Sequence, residues 1–112
     1  MLSPTQTLGN PLTAIVQEIV RVAQPERVIL FGSRSRGDAN DASDYDLLVV
    51  VSHVLNERQI SRHIYRALLD RKIGVAVDAI VVNAEMLNQY QASPYLIYRQ
   101  ALAEGTLVYE RN

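Results

Sequence analysis

Val28-Ile29-Leu30-Phe31-Gly32-Ser33, then ten residues, then Asp44-Tyr45-Asp46-Leu47-Leu48-Val49-Val50-Val51, is the stretch of sequence that decides the fold. Both apolar runs are short and carry β-branched residues, which predicts two buried strands. Gly32-Ser33 marks a turn at the exit of the first, and Asp44 and Asp46 stand at the entrance of the second. Side chains alternate faces along a strand, so two acids two residues apart point the same way. Ionised carboxylates beside an apolar run are costly unless paired or bound to a cation. The two acids therefore call for positive charge from outside themselves.

Working outward, Pro11 suits a first-turn position, and Ile15, Val16, Ile19 and Val20 recur at helical spacing, which predicts a helix over 11–24 that Pro25 stops. The first strand falls at 27–31. Ser33 can cap a short helical turn through Arg36, ended by Gly37, and residues 38–43 are rich in turn formers. Asn56 with Gln59 three residues on resembles a capping box, opening a helix to about residue 72 with Ile60, Ile64 and Leu68 as its apolar stripe and Gly74 as its end. Residues 75–82 form a third strand, interrupted by a single acid, Asp78. Two shorter helices are expected near 84–91 and 94–104, the second with Ser93 as cap, Pro94 at its first position and Gly105 past its end; 106–110 closes the sheet. This order predicts an α/β (α+β) domain in which a short mixed sheet is flanked by helices. At 112 residues without repeat or linker, the expectation is one domain over 1–112, with little room for a separate substrate domain.

Composition narrows the classes. With 48% hydrophobic and 21% charged residues the chain is neither disordered nor built around a long apolar span. The stretch 1–6 lacks a charged region followed by an apolar core, and there is no cysteine, so the expectation is a cytoplasmic protein with no membrane association, no disulfide and no thiolate metal site. A formal net charge of −1 argues against strong general attraction to nucleic acid.

The acids and the glycine turn point to one chemistry. If the strand carrying Asp78 lies beside that carrying Asp44 and Asp46, three carboxylates converge. At about 4 Å and an effective dielectric near 20, each ionised pair repels by about 4 kcal/mol, and a divalent cation is the natural compensation. All-oxygen ligation favours Mg²⁺ or Mn²⁺ over zinc. Gly32 lets the backbone approach a phosphate, and amides at the Ser33 turn offer donors. Metal on one side and amides on the other describe a nucleoside triphosphate site, suited to two-metal phosphoryl or nucleotidyl transfer, with Asp78 helping to bind the second ion and able to act as general base.

Other features admit two readings. Asp78 taken alone is either a site acid or a strand-edge acid with a water or arginine partner. Arg34 and Arg36 either pair with phosphate or solvate the loop. Arg58, Arg62 and Arg66, every four residues opposite the apolar stripe, are either the wet face of a helix or a docking surface. His53 and His63 lack metal-ligand spacing, and Tyr90, Tyr95, Tyr98 and Tyr109 suit packing of the C-terminal elements.

Phe31-Gly32-Ser33-Arg34-Ser35-Arg36-Gly37 with Ser43-Asp44-Tyr45-Asp46-Leu47-Leu48-Val49 resembles the signature of minimal nucleotidyltransferases, the MNT branch of the DNA polymerase β superfamily. The resemblance extends over nearly the whole chain in element order. It implies Gly32 and Ser33 at the triphosphate of ATP, Asp44 and Asp46 on two Mg²⁺ ions, and Asp78 as the third carboxylate. It also implies an antitoxin paired with a HEPN-family ribonuclease toxin, acting by transfer of AMP from ATP to a tyrosine of that partner. Neutralisation by binding alone, and nucleotidyl transfer to a small molecule, are the alternatives.

Overall fold

A computed structural model describes residues 11–32, 34, 37, 44–87 and 103–112. Its elements are α1 (Pro11–Ala23), β1 (Arg27–Phe31), β2 (Tyr45–Val51), α2 (Glu57–Asp70), β3 (Val77–Asn83), a 3₁₀ turn (Ala84–Met86) and β4 (Thr106–Glu110). The strands form one mixed sheet in the order β3-β2-β1-β4. β1 pairs antiparallel with both β2 and β4, while β2 and β3 run parallel. The short mixed sheet and its helices match the expected α+β architecture.

Alternation along the strands separates two cores. Val28, Leu30, Tyr45, Leu47, Val49, Val51 and Ala79 pack with Ile15 and Ile19 of α1 and Ile64 and Leu68 of α2. Ile29, Leu48, Val50 and Val82 point to the opposite face and pack with Leu87, with Phe31, Ile80 and Ala84 against them. β2 lies between two strands and is covered on both faces, which is why Leu47–Val51 reads as a continuous apolar run.

The helix boundaries follow their caps. The Asn56 side chain accepts a hydrogen bond from the Gln59 N–H at 3.1 Å, as the capping pattern predicts. α1 stops at Ala23 because Gln24 takes φ +46° and the buried Pro25 follows. α2 ends earlier than expected. Lys72, at φ +58°, is its left-handed residue; the Lys72 N–H donates to the Leu69 carbonyl and the Ile73 N–H to the Leu68 carbonyl. That pattern is a Schellman closure completed by a lysine, and Gly74 serves the turn beyond it. β3 begins at Val77 where 75 was expected, since β2, its partner in the sheet, begins at Tyr45.

The helix expected near 84–91 opens as the 3₁₀ turn followed by Leu87, and 88–91 lie outside the described residues, as do Ser93, Pro94 and most of the 94–104 helix, of which Ala103 and Glu104 are helical. Among the described residues no helix is long and apolar enough to cross a membrane.

Candidate nucleotide site

At the end of the sheet where β1 exits and β2 and β3 enter, the register places Phe31 opposite Asp46 and Asp46 opposite Asp78. These three continue, one row further out, the face formed by Ile29, Leu48 and Ile80. The acids thus occupy the sheet face away from α1 and α2, at the edge of an apolar cluster. Asp46 is half-buried and Asp78 exposed. Register partners on adjacent strands are near neighbours, so two like charges stand side by side.

Gly32 shapes the place of Asp46. It follows Phe31 at φ +74°, and a Cβ built on it would run into Asp46 Oδ2. The turn therefore needs glycine twice over, for a left-handed backbone and for the space the carboxylate fills. Ser33 and Arg36 lie outside the described residues.

Asp44 is exposed and directly precedes β2, whose first N–H, that of Tyr45, donates to the Ala76 carbonyl at 2.9 Å. Among the described residues no three acidic or imidazole side chains are gathered into a metal-holding group. The structure brings together Gly32, Asp46 and Asp78, and it sets Asp44 at the strand entrance beside them in sequence. This donor set fits Mg²⁺, which usually takes one or two carboxylates and completes its octahedron with substrate phosphates and water. Mn²⁺ shares the oxygen-rich preference.

Arg34 has a place that the sequence reading did not anticipate. Its guanidinium lies over the Tyr45 ring at 4.0 Å from the centroid, and Tyr45 itself is buried in the helix-side core. The stacking ties the turn after β1 to the Asp44-Tyr45-Asp46 segment. Tyr65 was also missed: its hydroxyl accepts from the Ala79 N–H at 2.9 Å, securing the outer edge of β3 one residue past Asp78. The Asn83 N–H donates to Glu57 Oε2 at 3.1 Å further along the same edge.

The remaining candidates stand apart. The His53 N–H donates to Glu85 Oε1 at 2.9 Å, and His63 is exposed on α2. Arg58, Arg62 and Arg66 are exposed, Arg66 paired with Asp70 at 3.3 Å. Tyr109 packs against the helix-side core, while Tyr90, Tyr95 and Tyr98 lie outside the described residues.

Comparison with known proteins identifies the family and the fold. Residues 14–112 match the family model described as polymerase beta, nucleotidyltransferase. A candidate protein adenylyltransferase of Methanocaldococcus jannaschii is 33% identical over 84 residues, which cover 75% of this chain and 78% of that protein. The crystal structure of a candidate nucleotidyltransferase from Sulfolobus solfataricus superposes with a TM-score of 0.62 at 27% identity, covering 90% of this chain and 78% of the other. A crystal structure of a toxin–antitoxin with AMP-PNP shares the fold, with a TM-score of 0.55 at 19% identity over 88% of this chain and 73% of that one.

Proposed function

This chain belongs to the polymerase beta nucleotidyltransferase family, and on that premise we propose that it is a protein adenylyltransferase that moves AMP from ATP to a tyrosine hydroxyl of a HEPN-type ribonuclease toxin, so acting as its antitoxin. The observation that carries the reading is the Asp46–Asp78 register pair beside Gly32. Two carboxylates at a glycine turn suit a triphosphate and its cations, and Asp44 at the entrance of β2 is available to complete the metal-binding acids.

In the reaction the acceptor oxygen attacks the α-phosphorus, the bond between that phosphorus and the bridging oxygen to the β-phosphate breaks, and pyrophosphate leaves. Asp44, Asp46 and Asp78 would hold the divalent cations, which when bound would supply charge neutralisation on the phosphates. Asp78, on an edge strand and exposed, takes the hydroxyl proton. Asp44 and Asp46 would hold the cations, and Gly32, Ser33, Arg34 and Arg36 are the residues proposed for the phosphates.

Support for a protein acceptor comes from the archaeal relative named for adenylylation of protein, and support for the antitoxin role from the toxin–antitoxin structure that shares the fold and contains an ATP analogue. The test is to incubate the chain with ATP, Mg²⁺ and the product of the adjacent gene, and then analyse that product by mass spectrometry. A gain of one AMP on a tyrosine is expected; an unmodified partner, with both proteins folded, would sink the reading.

A further inference from the structure

Arg58, Arg62, Tyr65, Leu69 and Lys72 recur at intervals of four, three, four and three residues, which keeps them on one stripe of α2 and its cap. The middle of the stripe is apolar and its ends are cationic. Leu69 is 73% exposed and Tyr65 40%, in a helix whose Ile64, Ala67 and Leu68 are buried and whose Ile60 is partly buried. Arg58, Arg62 and Lys72 are exposed and have no ion pair among the described residues, whereas Arg66 pairs with Asp70 and Arg71 with Glu18.

Below the stripe opens a groove of about 450 Å³, walled by Tyr65, Leu69, Ile73, Val75 and Val77 with Lys72 on its rim. It lies on the helix face of the sheet, at the end where β3 begins: Val77 packs against the helix-side core, Asp78 follows it on the opposite face, and the Tyr65 hydroxyl holds the backbone of Ala79. A chain leaving the groove past β3 would come to the end of the sheet that carries Asp46 and Asp78.

We infer that this groove docks an amphipathic segment of the acceptor protein, apolar side chains inward and acidic side chains against Arg58, Arg62 and Lys72; the inference rests on the protein-acceptor reading above. Charge decides among occupants. A second copy of the chain, packed isologously, would set this cationic stripe against itself. Nucleic acid would find cations but an apolar floor, on a chain whose net charge is −1. An acidic amphipathic segment satisfies floor and rim together.

The test uses the full chain, the product of the adjacent gene as acceptor, and two variants: Leu69→Asp, and Arg62→Glu combined with Lys72→Glu. Leu69, Arg62 and Lys72 are all exposed, so both variants should fold. Affinity for the acceptor is measured by calorimetry, and affinity for a fluorescent ATP analogue separately. Each variant is expected to bind the acceptor at least roughly tenfold more weakly while binding nucleotide within about twofold of the parent. Replacing acidic residues of the acceptor's docking segment by lysine should restore binding to the charge-reversed variant. Undiminished acceptor binding in both variants, or a parallel loss of nucleotide affinity, overturns the inference. So does a single-stranded RNA that binds the parent and is lost in the same variants. If the parent itself neither binds nor modifies the acceptor, the proposed function fails and the docking with it; if parent and variants modify it equally, only the docking fails.

Discussion

Gly32 and Asp46 share one volume: the Cβ that any other residue would place at position 32 falls on the Asp46 carboxylate. The pairing of Phe31 with Asp46 in the β1–β2 register brings them together, and the left-handed backbone of Gly32 completes the fit. Gly32→Ala should therefore displace the acid as well as strain the turn. We expect transfer to drop by roughly 100-fold, since misplacing a reacting group by an ångström has that scale. Stability should fall by about 1–2 kcal/mol from the left-handed alanine. Kinetics and thermal melting of the same variant check both.

Asp46 and Asp78 oppose each other as like charges on neighbouring strands. Asp46→Asn and Asp78→Asn should each reduce transfer by roughly 100-fold or more, and the exposed Asp78→Asn, without divalent cations, should leave stability unchanged or higher by about 0.5 kcal/mol. Melting curves in chelator would show a marked loss instead if Asp78 served the fold.

Glu18 ties the two helices. Its carboxylate accepts from Arg21 at 2.7 Å and from Arg71, the C-cap of α2, at 2.9 Å. The Arg21 hydrogen bond, joined by that of Arg71 and partly opposed by desolvation, holds its pKa below the ordinary value of 4.5. A depressed carboxylate pKa contributes stability that is fully present above the unfolded value and is lost as pH falls through the folded one. Because both arginines are substantially exposed, Glu18→Gln should cost only about 1 kcal/mol near neutrality. The difference from the parent should vanish in acid below that lowered pKa. Denaturant titrations across this range would contradict the assignment if the gap persisted.

Lys72 closes α2 in a conformation that suits glycine. Lys72→Gly should stabilise the fold by about 0.5–1 kcal/mol, the left-handed penalty of a side chain less the extra chain entropy of glycine. It should also weaken acceptor binding, because it removes a rim cation. A melting temperature that falls would contradict the cap assignment.

Much of this was readable in the chain because local chemistry and tertiary packing agree. β1 occupies 27–31 as expected, and Asn56 caps α2 through Gln59, where residue type and burial point the same way. What escaped depended on partners distant in sequence. β3 is trimmed at Val75 and Ala76 because β2 offers no partner before Tyr45. Lys72 takes the left-handed position that Gly74 was expected to fill, since Ile73 must return to the Leu68 carbonyl. The adjacency of Asp46 and Asp78 required a parallel register that spacing along the chain does not reveal, whereas the glycine beside the acids was visible from Gly32-Ser33 alone. Arg34 on Tyr45 and Tyr65 on Ala79 are side-chain contacts set by the fold, with no local pattern to announce them.

The proposed transfer of a nucleotide to a protein hydroxyl by the carboxylates beside Gly32 leaves a label that can be followed. It is tested most directly by incubating the parent chain and Asp46→Asn with the adjacent gene product, Mg²⁺ and ATP labelled at either the α- or the γ-phosphate. Label is expected on the partner from α-labelled ATP only, with the parent and not with the variant. Label arriving from the γ-phosphate, or α-label undiminished with Asp46→Asn, would contradict it.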